Sequence, residues 1–179
     1  MNPAPNLVLV GPMGAGKSSI GKRLAPRLGL TLVDVDQRLE QLAGVPVAVI
    51  FELEGESAFR LREAQLIAEL MRGRGQMIAT GGGAVLSPVT REQLQQHGFV
   101  IYLKVGIAQQ LERLARDHSR PLLAGGERKG KLEALALARN PLYEKVADLV
   151  FDCERLSVAA VANKLFSTIQ AQWRREAAA

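Results

Sequence analysis

Residues 7–18 read LVLVGPMGAGKS, and this stretch decides the fold of the chain. The apolar run Leu7–Val10 has no polar interruption, which is typical of a buried strand in a parallel sheet. The next segment, Gly11–Ser18, fits the pattern G-x-x-x-x-G-K-[ST], whose glycines let backbone N–H groups turn inward towards phosphate oxygens. Apolar residues then recur at helical spacing at positions 20, 24 and 28. The stretch therefore predicts a strand, a phosphate-binding loop and a helix in direct succession.

The chemistry of this loop indicates a nucleotide ligand. The N-terminus of the following helix adds positive electrostatic potential where the phosphates would lie. In this pattern Lys17 reaches the β- and γ-phosphates, and the hydroxyl of Ser18 binds Mg²⁺. The alternative is an ordinary glycine-rich turn, but such a turn requires neither the strand before the motif nor the helix after it.

Length and composition fit one α/β domain with a full core. The chain has 179 residues, and 47% of them are hydrophobic, which excludes disorder of the whole chain. The formal net charge is +5, a value that a nucleic-acid-binding protein could also have. The basic residues are scattered, however, and aromatic residues that could stack on bases make up only 4%. Anionic small molecules explain the charge better, so we expect no nucleic-acid partner.

The sequence lacks the usual features of a secreted or membrane protein. Cys153 is the single cysteine and cannot form an internal disulfide, as is usual in a reducing cytosol. The first six residues lack the basic region and apolar core of a secretory signal, and no apolar stretch is long enough to cross a bilayer. We therefore expect a cytoplasmic protein without a membrane partner.

Apolar runs alternate with amphipathic segments along the chain. Strands are predicted near residues 6–11, 31–35, 76–80, 99–104 and 148–152. Helices are predicted at residues 17–28, 56–72, 90–96, 106–116, 130–145 and 157–173, and the residues from Trp173 onwards are interpreted as a fraying helix end. This alternation predicts a three-layer α/β/α fold, in which residues 1–179 form a single domain around a central five-stranded parallel sheet.

Two segments interrupt the alternation. Residues 36–63 fit two short helices that separate near Gly44–Pro46, and we interpret them as a helical insertion. Residues 117–130 are rich in arginine, lysine and glycine, a composition typical of a mobile surface loop. We interpret this second segment as a lid over the ligand site.

Two carboxylates follow the second predicted strand. Alternate residues of a strand point the same way, so Asp34 and Asp36 would both face the crevice at the carboxyl ends of the strands. One of them would serve the Mg²⁺ shell, directly or through water. The other would accept a proton or a hydrogen bond from a substrate hydroxyl. On its own, the pattern D-x-D fits two solvated loop acids equally well.

A glycine triplet and three arginines are the remaining candidates for ligand binding. Gly81–Gly83 follow the third strand, where three glycines allow a ligand to approach the backbone and its N–H donors. Arg60 lies near the start of the long helix, Arg120 in the lid segment and Arg139 on or beside a helix. Arginine binds planar carboxylates through two hydrogen bonds and stabilises phosphoryl charge, although a single arginine is more often a solvated surface charge.

Taken in order, these segments resemble those of the shikimate kinase family, a branch of the nucleoside-monophosphate-kinase-like P-loop fold. The resemblance covers roughly residues 7–153 and rests on Gly11–Ser18, Asp34–Asp36, Gly55–Arg60, Gly81–Gly83, Arg120–Leu123 and Arg139–Tyr143. It implies transfer of the γ-phosphoryl group of ATP to the 3-hydroxyl of shikimate. It also implies Mg²⁺ as cofactor and a monomeric enzyme.

The resemblance further implies a role for each candidate residue. ATP would be bound by Gly14, Ala15, Gly16, Lys17, Ser18, Ser19 and Arg120, with Arg113 or Arg116 against the adenine and a loop around Glu154–Ser157 on its other side. Shikimate would be bound by Asp36, Arg60, Gly81, Gly82, Gly83 and Arg139, with residues 36–63 as the substrate-binding insertion. Mg²⁺ would be held by Ser18, with Asp34 behind it. The catalytic residues would be Lys17, Asp36 and Arg120.

Two other functions fit parts of the sequence. Another small-molecule kinase of the same fold, such as a gluconate kinase, also binds a hydroxy acid. The combination of Phe59-Arg60, the glycine triplet and the segment Arg139–Tyr143 argues against it. A nucleotide-binding module without transfer activity would need the phosphate loop but no second anionic pocket.

Overall fold

The elements alternate between strand and helix over most of the chain. The computed structural model describes residues 2–115, 123 and 127–175. In chain order the elements are β1 (Asn2–Ala4), β2 (Asn6–Val10), α1 (Lys17–Arg27), β3 (Thr31–Asp34), α2 (Val35–Ala43), α3 (Val47–Met71), β4 (Gln76–Ala79), a 3₁₀ turn (Ala84–Leu86), α4 (Pro88–His97), β5 (Gly98–Lys104), α5 (Ile107–Leu114), α6 (Arg128–Val146), β6 (Leu149–Asp152), α7 (Val158–Gln172) and β7 (Trp173–Arg175). Among the helices in these described ranges, none is long and apolar enough to cross a membrane.

The central sheet has five parallel strands in the order β3-β4-β2-β5-β6. Strand β2 alternates its side chains between two cores, because successive residues of a strand face opposite sides of the sheet. Leu7 and Leu9 pack with residues of α1 and α7, whereas Val8 and Val10 pack with residues of α2, α3, α4 and α6. The predicted three-layer α/β/α arrangement is therefore confirmed.

The predicted strands all occur, each within one residue of its expected ends. The helices occur as well, but α3 begins earlier than expected because its first part belongs to the segment 36–63. Gly55 breaks its helical geometry with φ 82° and ψ 171°, so α2 and the first part of α3 are the two short helices predicted there. Helix α6 begins at Arg128, so the last residues of the predicted lid are helical. Residues 116–122 and 124–126, including Arg116 and Arg120, lie outside the described residues.

The interpretation of Trp173 onwards as a fraying helix end is wrong for residues 173–175. These residues form β7, which pairs in parallel with β1 at the other end of the chain. The indole of Trp173 is 8% exposed and packs into the core formed with α1 and α7. Its Nε1 donates a hydrogen bond to the Ala4 carbonyl at 3.1 Å. The buried indole and the strand pairing therefore hold β1 and β7 together.

We expect Trp173→Ala to lower the free energy of unfolding by about 3 kcal/mol, because it removes a buried aromatic ring and leaves a cavity. Trp173→Phe is the matched control, since it keeps a ring but loses the hydrogen bond to Ala4, worth about 1 kcal/mol. Urea unfolding of both variants measures the two effects. An alanine variant as stable as the wild type would show that this end of the chain does not contribute to the core.

Candidate active site

One cavity lies at the carboxyl ends of β2, β3 and β4. The phosphate loop, the two aspartates and the glycine triplet are found at these three strand ends. Its volume is about 490 Å³. The predicted site residues that line it are Gly14, Gly16, Lys17, Ser18, Ser19, Asp34, Asp36, Arg60, Gly81, Gly82, Gly83, Arg113 and Arg139. Ala15 lies just beneath, with its side chain fully buried in the core. Residues that are far apart in sequence, from three strand ends and five helices, therefore share one site.

The loop between β2 and α1 has the conformation that its glycines predict. Gly14 and Gly16 have φ values of 78° and 88°, which non-glycine residues rarely adopt. Helix α1 begins at Lys17, directly after Gly16. The Lys17 ammonium curls back over the loop and donates hydrogen bonds to the carbonyls of Gly11 at 2.7 Å and Pro12 at 2.9 Å. A positive charge and a helix N-terminus thus meet at one anion-binding position.

Ser18 and Asp34 form a pair of oxygen ligands beside this loop. The Ser18 hydroxyl donates a hydrogen bond to Oδ2 of Asp34, and Oδ1 of Asp34 accepts from the Gln37 backbone N–H at 3.1 Å. Within the described ranges, no three His, Cys, Asp or Glu side chains come together as a metal site. A hydroxyl and one carboxylate suit Mg²⁺, which keeps several waters and binds substrate phosphates as well.

The expected strand alternation of Asp34 and Asp36 is wrong. Strand β3 ends at Asp34, whose carboxylate caps the N-terminus of α2, and Asp36 lies in the first turn of that helix. The competing influence is capping, because an aspartate that accepts from the N–H three residues on starts a helix rather than extending a strand. Both side chains still line the cavity, but they face different neighbours.

Asp36 lies against the glycine triplet, together with a buried glutamate that the sequence analysis missed. A Cβ on Gly81 would stand 3.0 Å from Oδ1 of Asp36 and 2.2 Å from Oε1 of Glu63. The 2.2 Å approach would force the carboxylate of Glu63 to shift if residue 81 had a side chain, and the 3.0 Å approach to Asp36 would be tight. Glycine at this position therefore lets two carboxylates approach the backbone of the triplet.

Glu63 is almost completely buried, at 1% exposure, and it holds Arg60 in place. Its Oε2 accepts from Nη1 of Arg60 at 2.7 Å, and Glu56 holds the same guanidinium at 3.2 Å. Burial raises the pKa of Glu63, the guanidinium of Arg60 opposes that rise, and the charge of Asp36 adds to it. Among the residues that the structure describes, none donates a hydrogen bond to Oε1 of Glu63. Glu63 could have been found from the sequence by its spacing, because it lies three residues after Arg60 on one helix, where an ion pair can form.

Arg139 approaches the glycine triplet from α6 and is 6% exposed. A Cβ on Gly82 would stand 3.7 Å from Nη1 of Arg139 and 3.6 Å from the hydroxyl of Tyr143. Arg60 stands closer still to the neighbouring glycine, because a Cβ on Gly83 would meet its guanidinium carbon at 2.2 Å. The triplet therefore lies between two guanidinium groups from different helices, which is the composition of a carboxylate-binding pocket.

Aromatic rings, which the sequence analysis did not assign to the site, form the wall behind Arg60. Phe51 and Phe59 have ring centroids 4.5 Å apart, and both rings line the cavity. The guanidinium carbon of Arg60 lies 5.2 Å from the Phe59 centroid and 5.8 Å from the Phe51 centroid. These rings hold the guanidinium in position and keep one side of the pocket apolar.

Arg113 joins the phosphate loop to the loop after β6. Its Nη1 donates to the Gly14 carbonyl at 2.9 Å, and its Nη2 donates to the Leu156 carbonyl at 3.2 Å. Leu156 belongs to the segment Glu154–Ser157, which was predicted to line the adenine. The structure thus brings Arg113 next to that segment, whereas Arg116 and Arg120 lie outside the described residues.

A phosphate-binding loop and an arginine-lined acceptor pocket in one cavity define a P-loop kinase that acts on a small anionic acceptor. The family model described as Shikimate kinase matches residues 13–170. The chain therefore belongs to the shikimate kinase family, as the resemblance had indicated.

Relatives in two genera support this membership over nearly the whole chain. The chain is 49% identical over 176 residues to a shikimate kinase of Stenotrophomonas maltophilia (strain R551-3), covering 98% of each chain. It is 52% identical over 174 residues to one of Xanthomonas euvesicatoria pv. vesicatoria (strain 85-10), covering 97% of each. The structure of shikimate kinase from Acinetobacter baumannii in complex with shikimate superposes with a TM-score of 0.90, at 40% identity and 94% coverage of each chain.

Proposed function

We propose that this enzyme transfers the γ-phosphoryl group of ATP to the 3-hydroxyl of shikimate, giving shikimate 3-phosphate and ADP. One observation above all supports the proposal: in a chain of the shikimate kinase family, Lys17 of the phosphate loop and the arginines Arg60 and Arg139 line a single cavity. The solved relative from Acinetobacter baumannii carries shikimate itself. Gluconate kinase and a non-catalytic nucleotide-binding module are not favoured.

In this proposal the acceptor lies against the glycine triplet. Arg60 and Arg139 bind its carboxylate, because two guanidinium groups offer several parallel N–H donors to a planar anion. Asp36 accepts the hydrogen bond of the reacting hydroxyl and takes its proton as the oxygen bonds to phosphorus. Glu63 keeps Arg60 aimed at the pocket, since the 2.7 Å ion pair joins the guanidinium to a carboxylate that is almost completely buried.

The phosphates lie on the loop between β2 and α1. Backbone N–H groups of Gly14, Ala15 and Gly16 and the start of α1 bind them, and Lys17 leaves its loop carbonyls to neutralise charge on the transferred group. Ser18 and Asp34 supply the oxygens that would hold Mg²⁺, which neutralises phosphate charge when it is bound. Phosphoryl transfer depends mainly on positioning and on neutralising charge, and these groups contribute to both.

The adenine would lie between Arg113 and the segment Glu154–Ser157. Arg113 contacts both the phosphate loop and the carbonyl of Leu156, so a purine could enter between them only after Nη2 of Arg113 leaves that carbonyl. The roles of Arg120 in phosphoryl transfer, of Arg116 and of a closing lid at 117–130 stay predictions, because they rest on the sequence.

Release of ADP in a coupled assay tests the proposal. Turnover should depend on shikimate, with gluconate and the reaction without acceptor as the two controls. Equal rates with gluconate would favour the related kinase, and equal rates without any acceptor would favour a nucleotide-binding module with slow hydrolysis. Omitting Mg²⁺ should abolish the shikimate-dependent rate.

We expect Arg139→Ala to weaken shikimate binding by about 2–3 kcal/mol, or roughly 30- to 150-fold, because it removes half of a desolvated carboxylate clamp. ATP affinity in the absence of shikimate should change little. Calorimetric titration of each ligand measures both effects. Lys145→Ala, which removes an exposed cation from the same helix, is the matched control. Parallel loss of ATP and shikimate affinity would contradict the clamp and indicate a disturbed fold.

The cellular setting is also part of the proposal. We propose a cytoplasmic monomer, on the basis of the single buried cysteine and of the resemblance to the family. Sedimentation of the purified protein at micromolar concentration tests the monomer, and fractionation of the source cells tests the compartment.

A further inference from the structure

The hydroxyl of Tyr143 connects two parts of the acceptor pocket that approach it from different elements. It donates a hydrogen bond to the carbonyl of Gly82, and a Cβ on Gly82 would stand 3.6 Å from this hydroxyl and 3.7 Å from Nη1 of Arg139. The proton of the phenol goes to Gly82, so the lone pairs of its oxygen face a neighbouring guanidinium, which has only donors. We propose that Tyr143 is a positioning residue for the acceptor, which sets the spacing between Arg139 and the glycine triplet. This inference rests on the proposed function.

The bond to Gly82 ties the triplet to α6. The carbonyls of Gly81 and Gly83 are bonded locally, to the N–H groups of Ala84 at 3.2 Å and Leu86 at 3.0 Å. Those bonds shape the 3₁₀ turn but do not fix where the segment stands relative to the helices. The carbonyl of Gly82 is bonded from outside the segment, by Tyr143 on α6. This hydrogen bond therefore relates the backbone of the triplet to the helix that carries Arg139.

Arg139 and Tyr143 lie four residues apart on α6, so their side chains share one face of the helix. A guanidinium on a flexible stem would otherwise adopt several rotamers in a 490 Å³ cavity. The phenol oxygen and Nη1 of Arg139 both lie beside Gly82, where a carboxylate could meet the guanidinium and the triplet N–H groups together. Preorganisation of this kind raises affinity, because the ordering is complete before the ligand arrives.

The ring of Tyr143 is itself held firmly. It is 1% exposed, and its centroid lies 5.1 Å from that of Tyr102 on β5, the strand beside the phosphate-loop strand. Burial raises the pKa of Tyr143 above its usual value, so the hydroxyl keeps its proton at physiological pH and remains a donor to Gly82. A fixed ring with a permanent donor is suited to a spacing element.

Tyr143→Phe removes the hydroxyl and keeps the ring, and Tyr102→Phe is the matched control from the same stacked pair. We expect Tyr143→Phe to raise the KM for shikimate about tenfold, the scale of one or two lost hydrogen bonds. The KM for ATP and kcat should stay within about threefold, because the phosphate loop and Asp36 are untouched. Tyr102→Phe should leave both KM values within about twofold.

A double-mutant cycle with Arg139→Lys tests whether Tyr143 acts through the arginine. In that background Tyr143→Phe should raise the shikimate KM by no more than about threefold, since the contact it supports has already gone. Shikimate-dependent activity of the wild type is measured first, so a failure of the proposed function would appear there and separately. Unchanged KM values in Tyr143→Phe, equal losses for both substrates, a full tenfold effect in the Arg139→Lys background, or a Tyr143→Phe chain that does not fold would each overturn the inference.

Discussion

Lys17→Met is expected to lower kcat by a factor on the order of 10³ or more while the fold survives. Methionine preserves most of the length and apolar volume of the side chain but removes its charge. That charge lies at the start of α1, 2.7 Å from the carbonyl of Gly11 and 2.9 Å from that of Pro12. Removing a preorganised charge from a phosphoryl-transfer site costs about this much, because the charge is lost where the phosphoryl group is transferred.

Steady-state kinetics on the purified variant measures the loss, and circular dichroism with a thermal unfolding curve shows whether the fold is retained. Lys22→Met is the matched control, because it removes an exposed lysine from the same helix. The control should keep wild-type kcat. Near-wild-type turnover in a folded Lys17→Met enzyme would exclude the proposed role of Lys17.

The sheet could be predicted from local sequence patterns, because burial of its strands depends on their own apolar composition. Unbroken apolar runs such as Leu7–Val10 and Phe99–Leu103 are buried on both faces, so their position in a parallel sheet follows from the composition alone. The phosphate loop was equally predictable, since its glycines, Lys17 and Ser18 act within one short segment. The arginines Arg60 and Arg139 required the resemblance to a family, because isolated arginines carry no local signal of function.

The sequence did not predict features that depend on distant contacts. Strands β1 and β7 have three residues each and pair between opposite ends of the chain. Three residues are too few to show a periodic pattern, so the sequence does not predict these strands. Glu63 follows Arg62 in a strongly charged stretch, which is typical of a solvated helix face. Its burial arises only when α3 packs against the glycine triplet, where Gly81 leaves space for the carboxylate.

Asp36 shows how a correct residue can follow from a wrong local structure. The expected strand would have pointed Asp34 and Asp36 the same way, but α2 begins between them. The helix turn separates the two carboxylates: Asp34 remains bonded to Ser18, and Asp36 comes to lie near Gly81. The proposed division of roles between a magnesium ligand and a substrate ligand would therefore be a consequence of helix capping.

Asp36→Asn is expected to lower kcat by about 10²–10⁴, the scale for a positioned general base. Asparagine keeps the shape and the hydrogen-bonding reach of the side chain but can no longer take the proton of the acceptor hydroxyl. Asp36 is well situated for this role, because its Oδ1 borders the triplet and the same pocket contains Arg60 and Arg139. Measurement of kcat and KM for both substrates separates proton transfer from binding.

Asp34→Asn is the matched comparison, since it makes the same chemical change two residues earlier, at the end of β3. It should raise the Mg²⁺ concentration needed for half-maximal rate, because Asp34 is bonded to Ser18 in the pair of oxygen ligands. Asp36→Asn should leave that requirement unchanged. A loss in Asp36→Asn that appears only in the KM for shikimate would make Asp36 a binding group, and unchanged kinetics would remove it from the mechanism. A shift in Mg²⁺ requirement for both variants would mean that the two carboxylates share the metal shell, contrary to the separation that the start of α2 creates.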